Sequence, residues 1–261
     1  MWIDTHCHLD AAEFDHDRER VVAAARAAGV EAIVNLPGHV DHFPAARDTR
    51  ARHGCPTGFG LHPMWVAGPS GHAKREHVDV LATWLERERP DLVGEIGLDF
   101  FVTDSDRAEQ DWFFVEQLRL ARRFDLPVAL HVRRSQDRLL YHLRRIRVRG
   151  GFAHAWNGSA QQAAEFVKLG FCLGFGGAAT YPQAHNIRRL LAELPLSAIV
   201  VETDAPDIPP SFLGTMGSRQ RNSPEWLPRI GELLAEVRGM PTAAFAEATS
   251  ANARRMLQRD A

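Results

Sequence analysis

Eight short runs of apolar, β-branched or glycine residues recur along this chain, at 2–6, 32–36, 57–61, 92–97, 127–132, 151–155, 171–175 and 198–202. Each has the length and continuous hydrophobicity of a strand buried on both faces, as in a parallel sheet. Between them lie segments of helical periodicity, such as 18–28 with Gly29 as its stop, 76–88, 107–124, and 161–169 before Gly170. Within 108–121, Trp112, Val115, Leu118 and Ala121 recur at helical spacing and read as core packing. The unit repeats at about 20 to 36 residues, the size of a βαβ unit. Eight such units in 261 residues predict an α/β chain folded as a closed (β/α)8 TIM barrel, because an open doubly wound sheet uses fewer strands. No linker interrupts the series, and the Pro-, Gly- and Ser-rich stretch 205–222 reads as a loop after the last strand. One domain over 1–261 is expected.

In such a barrel, function sits on the loops at the C-terminal ends of the strands. The polar residues at those ends are His6, His8, His62, Glu95, His131, His154 and Asp204. His6 and His8 flank Cys7 and so share one strand face, about 6 to 7 Å apart, from which two imidazoles can reach one divalent ion. Glu95 sits inside the apolar run Val93-Gly94-Glu95-Ile96-Gly97, where a carboxylate is costly unless a cation or hydrogen bonds compensate it. His131 and His154 each close an apolar run, and Asp204 ends Val200-Val201-Glu202-Thr203, with Glu202 on its face but deeper. His62 in Gly60-Leu61-His62-Pro63 reads equally as a turn cap or a site residue. The other eight histidines (16, 39, 42, 53, 72, 77, 142 and 185) fall in loops or helical segments and suggest no chemistry.

Composition narrows the field modestly. Three dispersed cysteines, Cys7, Cys55 and Cys172, form neither a disulfide framework nor a thiolate zinc site. No stretch approaches the ~20 apolar residues of a membrane span, and the first residues form a strand with no basic leader, so cytoplasmic residence is expected. A net charge of -2 gives no global attraction for nucleic acid and leaves that task to a local patch. Between 133 and 149 stand seven arginines against the single acid Asp137. Arg133 and Arg134 lie nearest the rim and suit phosphate; the distal ones read as a solvated, salt-bridged helix face. Arg221 and Asn222 are further substrate contacts to consider.

The ordered motifs Ile3-Asp4-Thr5-His6-Cys7-His8-Leu9-Asp10, Gly60-Leu61-His62-Pro63, Gly94-Glu95-Ile96-Gly97-Leu98-Asp99, 127–133 around His131, and Glu202-Thr203-Asp204-Ala205-Pro206 resemble those of the TatD family of metal-dependent hydrolases and deoxyribonucleases, within the amidohydrolase-like barrels. The resemblance spans essentially the whole chain. It implies two divalent metal ions (Mg, Mn or Zn), with Glu95 bridging, His6, His8 and Asp204 on one ion, and His131 and His154 on the other. Two such ions would activate a water and neutralise developing charge, with Asp204 taking the water's proton and His62, Arg133 and Arg134 holding a phosphate. Trp156-Asn157-Gly158-Ser159 and Phe100-Phe101, both at the barrel mouth, depart from the commoner family pattern. The expected activity is 3'-5' exonuclease-type hydrolysis of DNA, with no obligate protein partner. A carboxylic-ester or amide hydrolase, such as a D-aminoacyl-tRNA deacylase, and a non-catalytic binding barrel are the alternatives.

Overall fold

A computed structural model of the chain describes residues 1–67, 71–215, 217 and 220–258. Among these residues eight parallel strands form: β1 (Trp2–Cys7), β2 (Val30–Asn35), β3 (Gly58–Phe59), β4 (Leu92–Asp99), β5 (Val128–Arg133), β6 (Gly151–Ala153), β7 (Phe171–Phe175) and β8 (Ile199–Val201). β1 pairs with β2, and β3 through β8 pair in chain order. Two parallel bridges join the series, Asn35 with Thr57 between β2 and β3, and Cys7 with Ala205 just beyond β8. The amides of Asp204 and His8 bond the carbonyls of His6 and Ala205, so the last strand returns to the first and the TIM barrel closes.

The helices are α1 (Arg18–Ala27), α2 (Phe43–His53), α3 (Pro63–Ala67), α4 (His77–Glu88), α5 (Arg107–Arg123), α6 (Gln136–Arg145), α7 (Ala160–Lys168), α8 (His185–Glu193), α9 (Leu227–Arg238) and α10 (Thr242–Leu257). They alternate with the strands, whose residues are buried almost throughout because the barrel interior lies on one side and the helices on the other. α10 seals the first and last strands: the Asn252 amide donates to the carbonyls of Leu196 and Ile199, and Phe245 packs edge-on against Trp2.

Strand three is shorter than the sequence pattern predicts. Beyond Phe59 the Leu61 amide and carbonyl bond the Gln117 side chain of α5 in place of a neighbouring strand. The buried stripe of α5 is also rotated by about one residue from the predicted one: Phe113, Phe114, Gln117, Leu118 and Ala121 face inward, while Trp112 and Val115 stand at its edge. The buried glutamines explain the offset, since a polar residue that binds strand backbone belongs to the inner face although no hydropathy pattern marks it. In β4, Gly97 (φ 152°) lets two strands approach closely; a Cβ there would lie 2.1 Å from the His131 carbonyl oxygen. The register that follows sets Gly97 opposite His131 and Asp99 opposite Arg133. No helix among the described residues is long and apolar enough to cross a membrane.

Candidate active site

The C-terminal strand ends bring all seven rim residues together around Glu95. Its carboxylate is almost wholly buried, and its two oxygens divide the surrounding imidazoles. Oε1 lies 3.0 Å from His131 Nδ1, 3.0 Å from His154 Nε2 and 3.5 Å from His62 Nε2. Oε2 lies 3.2 Å from His6 Nε2 and 3.5 Å from His8 Nε2. Asp204 Oδ1 stands across from Glu95, 3.6 Å from His6, 3.4 Å from His8 and 3.9 Å from His154. Asp204 adopts a left-handed backbone (φ 57°), a conformation Asp tolerates better than most residues, and its peptide is held on both sides by the His6 carbonyl and the Asp207 amide.

Bonds on the far side of each ring decide which nitrogen faces the centre. The Leu36 carbonyl takes the Nδ1 proton of His8 at 2.7 Å, leaving the Nε2 lone pair inward. Asp99 Oδ2 binds His131 Nε2 at 3.0 Å, leaving Nδ1 inward. Both arrangements orient an imidazole to accept a cation. His62 differs: its Nδ1 accepts the Met64 amide at 3.1 Å, so the neutral ring carries its proton on Nε2 and faces the centre as a donor. Asp99, which the sequence reading left without a role, is thus the residue that orients His131; its place two positions beyond Gly97 on β4 is the one signal that pointed to it.

The electrostatics demand positive charge. Burial alone would raise the Glu95 carboxyl, but His62, His6 and His154 outweigh it and hold it well below the usual carboxylate range. Burial works against protonating His8 and His154, yet Asp204 and Glu95 push them up to about 10 and about 9. His6, the most enclosed ring, is pushed down to about 4 by burial and by His154. Several buried atoms here lack a hydrogen-bond partner: both nitrogens of His6, Oε2 of Glu95 and Nδ1 of His154. Unbonded polar atoms this deep are expensive in a folded protein, and a cation would satisfy His6 Nε2 and Glu95 Oε2, which lie 3.2 Å apart, together. His6 with Glu95 and His154, and His6 with His8 and Asp204, each bring three ligand atoms within 4.8 Å of one another, so the residues fit a divalent ion; His62 stands as close to Glu95 and His131 but turns a protonated nitrogen inward.

Around this centre, Phe101 is an exposed aromatic at the rim, with Arg133 stacked 3.9 Å over its ring and Arg134 at 4.7 Å. Arg133 also reaches Asp99 at 3.7 Å. Arg138 and Arg144, farther along α6, pair with Asp111 and Glu165, as a salt-bridged helix face does. Arg221 and Asn222 are committed to structure. Arg221 clamps Asp17 and the Glu13 carbonyl, and buried Asn222 bonds the carbonyls of Thr203, Asp207 and Ile208. Arg221 nevertheless lines a cavity of about 530 Å³ with Pro206, Asp207, Tyr181 and Ile187, beside the loop that carries Asp204. Behind the rim, Asp4 on β1 accepts both the amide and the hydroxyl of Thr203, locking the residue before Asp204 to the strand that bears His6.

The model of the family described as TatD related DNase matches residues 3–258. The chain is 40% identical over 256 residues to the uncharacterized metal-dependent hydrolase YjjV of Escherichia coli (strain K12), covering 95% of this chain and 94% of that one. It is 33% identical over 262 residues to the 3'-5' ssDNA/RNA exonuclease TatD of Cronobacter sakazakii, covering 99% and 98%. The crystal structure of YJJV, the TatD homolog from Escherichia coli k12, superposes with a TM-score of 0.90 at 39% identity, covering 98% of this chain and 97% of that one.

Proposed function

This chain belongs to the family of TatD-related DNases, and from that premise we propose that it hydrolyses phosphodiester bonds of DNA from a strand end, in the 3'-5' direction, with two divalent metal ions. The observation that carries the proposal is the division of donors by Glu95: one carboxylate oxygen faces His6 and His8, the other faces His131 and His154. A carboxylate so placed is suited to bridge two cations, with His6, His8 and Asp204 on one and His131 and His154 on the other. Imidazoles suit Zn²⁺ and carboxylates suit Mg²⁺ and Mn²⁺, and this centre offers both kinds of ligand. When bound, the pair would lower the pKa of water and neutralise charge on the phosphoryl group.

The protein's own groups supply the rest. Asp204 stays ionised because His154, His8 and His6 outweigh the effect of burial, and its side chain keeps 11% exposure. The ionised carboxylate can therefore take a proton from water and return it to the leaving oxygen. His62 presents Nε2–H to a phosphate oxygen. Arg133 and Arg134 add charge-assisted bonds to phosphate, and Phe101 offers a face on which a base can stack. An exposed aromatic flanked by two arginines suits a nucleic acid strand better than a free carboxylic ester or amide.

The test is to supply the purified protein with Mg²⁺ or Mn²⁺ and end-labelled single-stranded DNA, beside a D-aminoacyl-tRNA. Stepwise shortening of the DNA is expected; ester release with intact DNA overturns the proposal. Glu95→Ala and Asp204→Ala should lose turnover by several orders of magnitude while retaining the circular dichroism of the folded barrel. Near wild-type turnover in either variant would remove its residue from the mechanism.

A further inference from the structure

Four histidines whose loop and helical positions suggest no chemistry meet at a second place on the rim. His39 follows β2, His42 immediately precedes α2, His72 lies in the segment after α3 and His77 begins α4. The ring of His39 lies 4.5 Å from that of His72, 5.2 Å from that of His77 and 6.3 Å from that of His42. His39 is 1% exposed, and its Nε2 is buried without a hydrogen-bond partner. Asp41 Oδ2 lies 3.1 Å from His39 Nδ1 and 4.0 Å from His72 Nε2. His39, Asp41 and His72 bring three donor atoms within 4.8 Å of one another.

We propose that His39, Asp41 and His72 form a third cation site, separate from the Glu95 centre, that takes a first-row transition ion of the zinc class. Ligand atoms held tetrahedrally at zinc distances lie roughly 3.3 Å from one another, and the spacings of 3.1 and 4.0 Å bracket that value. Two imidazoles and one carboxylate select zinc, cobalt or nickel over magnesium or calcium, which prefer oxygen alone. His39 Nδ1, the nitrogen that faces the Asp41 carboxylate, also accepts the Asp41 amide over a long 3.4 Å, a contact that a cation at this nitrogen would replace. Among the described residues the close set of three ligand atoms here comprises His39, Asp41 and His72; His77 and His42 frame it and are not assigned as ligands.

The site would tie the loop after β2 to the segment that follows β3. That junction supports the active-site wall: the His62 amide bonds the Gly38 carbonyl, and a Cβ on Gly38 would touch both His62 and Trp65. Trp65 in turn lies against the rings of His39 and His72. An ion there would fix the approach to His62 without touching the reacting atoms.

The experiment uses the full chain, stripped with chelator and titrated with Co²⁺ alone, reading bound metal by elemental analysis and the cobalt d–d absorption. Glu95→Ala/His8→Ala/His131→Ala, which removes the shared carboxylate and one imidazole from each half of the Glu95 centre, should retain one cobalt ion bound in an N/O environment. Adding His72→Ala or Asp41→Asn to that background should abolish it; both residues are exposed, so the fold is not at stake. In the otherwise native chain, His72→Ala should bind one cobalt ion fewer and lose part of the rise in melting temperature that cobalt brings. Cobalt uptake that is the same with and without His72 and Asp41 overturns the site. The site does not depend on the nuclease reading: loss of DNA cleavage with this cobalt intact would count against the latter alone.

Discussion

At the scale of single residues, orientation separates this centre from a chance gathering of histidines. Asp99 is the sharpest case, because its bond to His131 Nε2 leaves the other nitrogen aimed at Glu95. Such a partner raises the basicity of a metal-binding imidazole and removes its freedom to turn away. Asp99→Ala should therefore weaken divalent-ion affinity by about 10- to 100-fold, measured by isothermal titration with Mn²⁺; unchanged affinity would make Asp99 a packing residue only. Cys55 makes a second prediction, remote from the site. Burial pushes its thiol from 9.0 up to about 11. The folded chain thus keeps the proton to higher pH than the unfolded chain does, so this stabilisation is complete below pH 9 and is lost as pH rises toward 11. The loss amounts to no more than about 3 kcal/mol. Urea unfolding at about pH 8 and about pH 10.5 should show the stability advantage of the native chain over Cys55→Ala shrinking as pH rises. Equal slopes for the two proteins would assign the alkaline loss to other groups.

At the scale of elements, α5 does more than cover the barrel. Gln110 bonds both the amide and the carbonyl of Asp99, and Gln117 does the same for Leu61. One helix thereby fixes the ends of two strands, just before His62 and at the residue that orients His131. Gln117→Leu keeps the volume but leaves two buried backbone groups unpaired, a cost of about 2 to 4 kcal/mol. Denaturant unfolding should show that loss together with reduced turnover; a stable variant would mean that the backbone at Leu61 finds another partner. This dependence also explains what could be read from the chain beforehand. Strands with unbroken apolar runs, such as β4 and β7, and helices with clear stops, such as α1 before Gly29, were legible because burial and glycine leave direct marks. The rim residues were legible because a polar side chain ending an apolar run is rarely accidental. The short span of β3, the inner face of α5 and the work of Arg221 and Asn222 were not, since each is set by hydrogen bonds between residues far apart in sequence. The grouping of His39 with His72 was hidden for the same reason: it exists only once the loops after β2 and α3 are folded against each other.

At the scale of the whole molecule, closure of the barrel gathers donors from β1, β4, β5, β6 and the end of β8 at one mouth, while the chain as a whole carries a net charge of -2. A polyanionic strand gains nothing from the global field of such a protein, so its attraction must be local. Arg138 and Arg144 are held by carboxylates along the helix, whereas Arg133 and Arg134 stack over Phe101 at the rim, Arg133 within 3.7 Å of Asp99, and form the cationic surface beside His131. On the proposed reading the arginines meet phosphate and Phe101 meets a base, and ionic strength separates the two contacts. Each phosphate contact to a single strand adds about 0.7 to the slope of log affinity against log salt. Replacing both arginines by alanine should raise KM more than it lowers kcat and reduce the slope of log(kcat/KM) by up to about 1.4. Phe101→Ala should instead lower affinity through about 1 to 3 kcal/mol of lost stacking, with the salt slope unchanged. Replacing Arg138 and Arg144 should move neither quantity. A salt slope that survives the loss of Arg133 and Arg134 would place the phosphate-binding surface elsewhere on the rim, with the cavity beside Pro206 and Arg221 as the next surface to test by the same measurement.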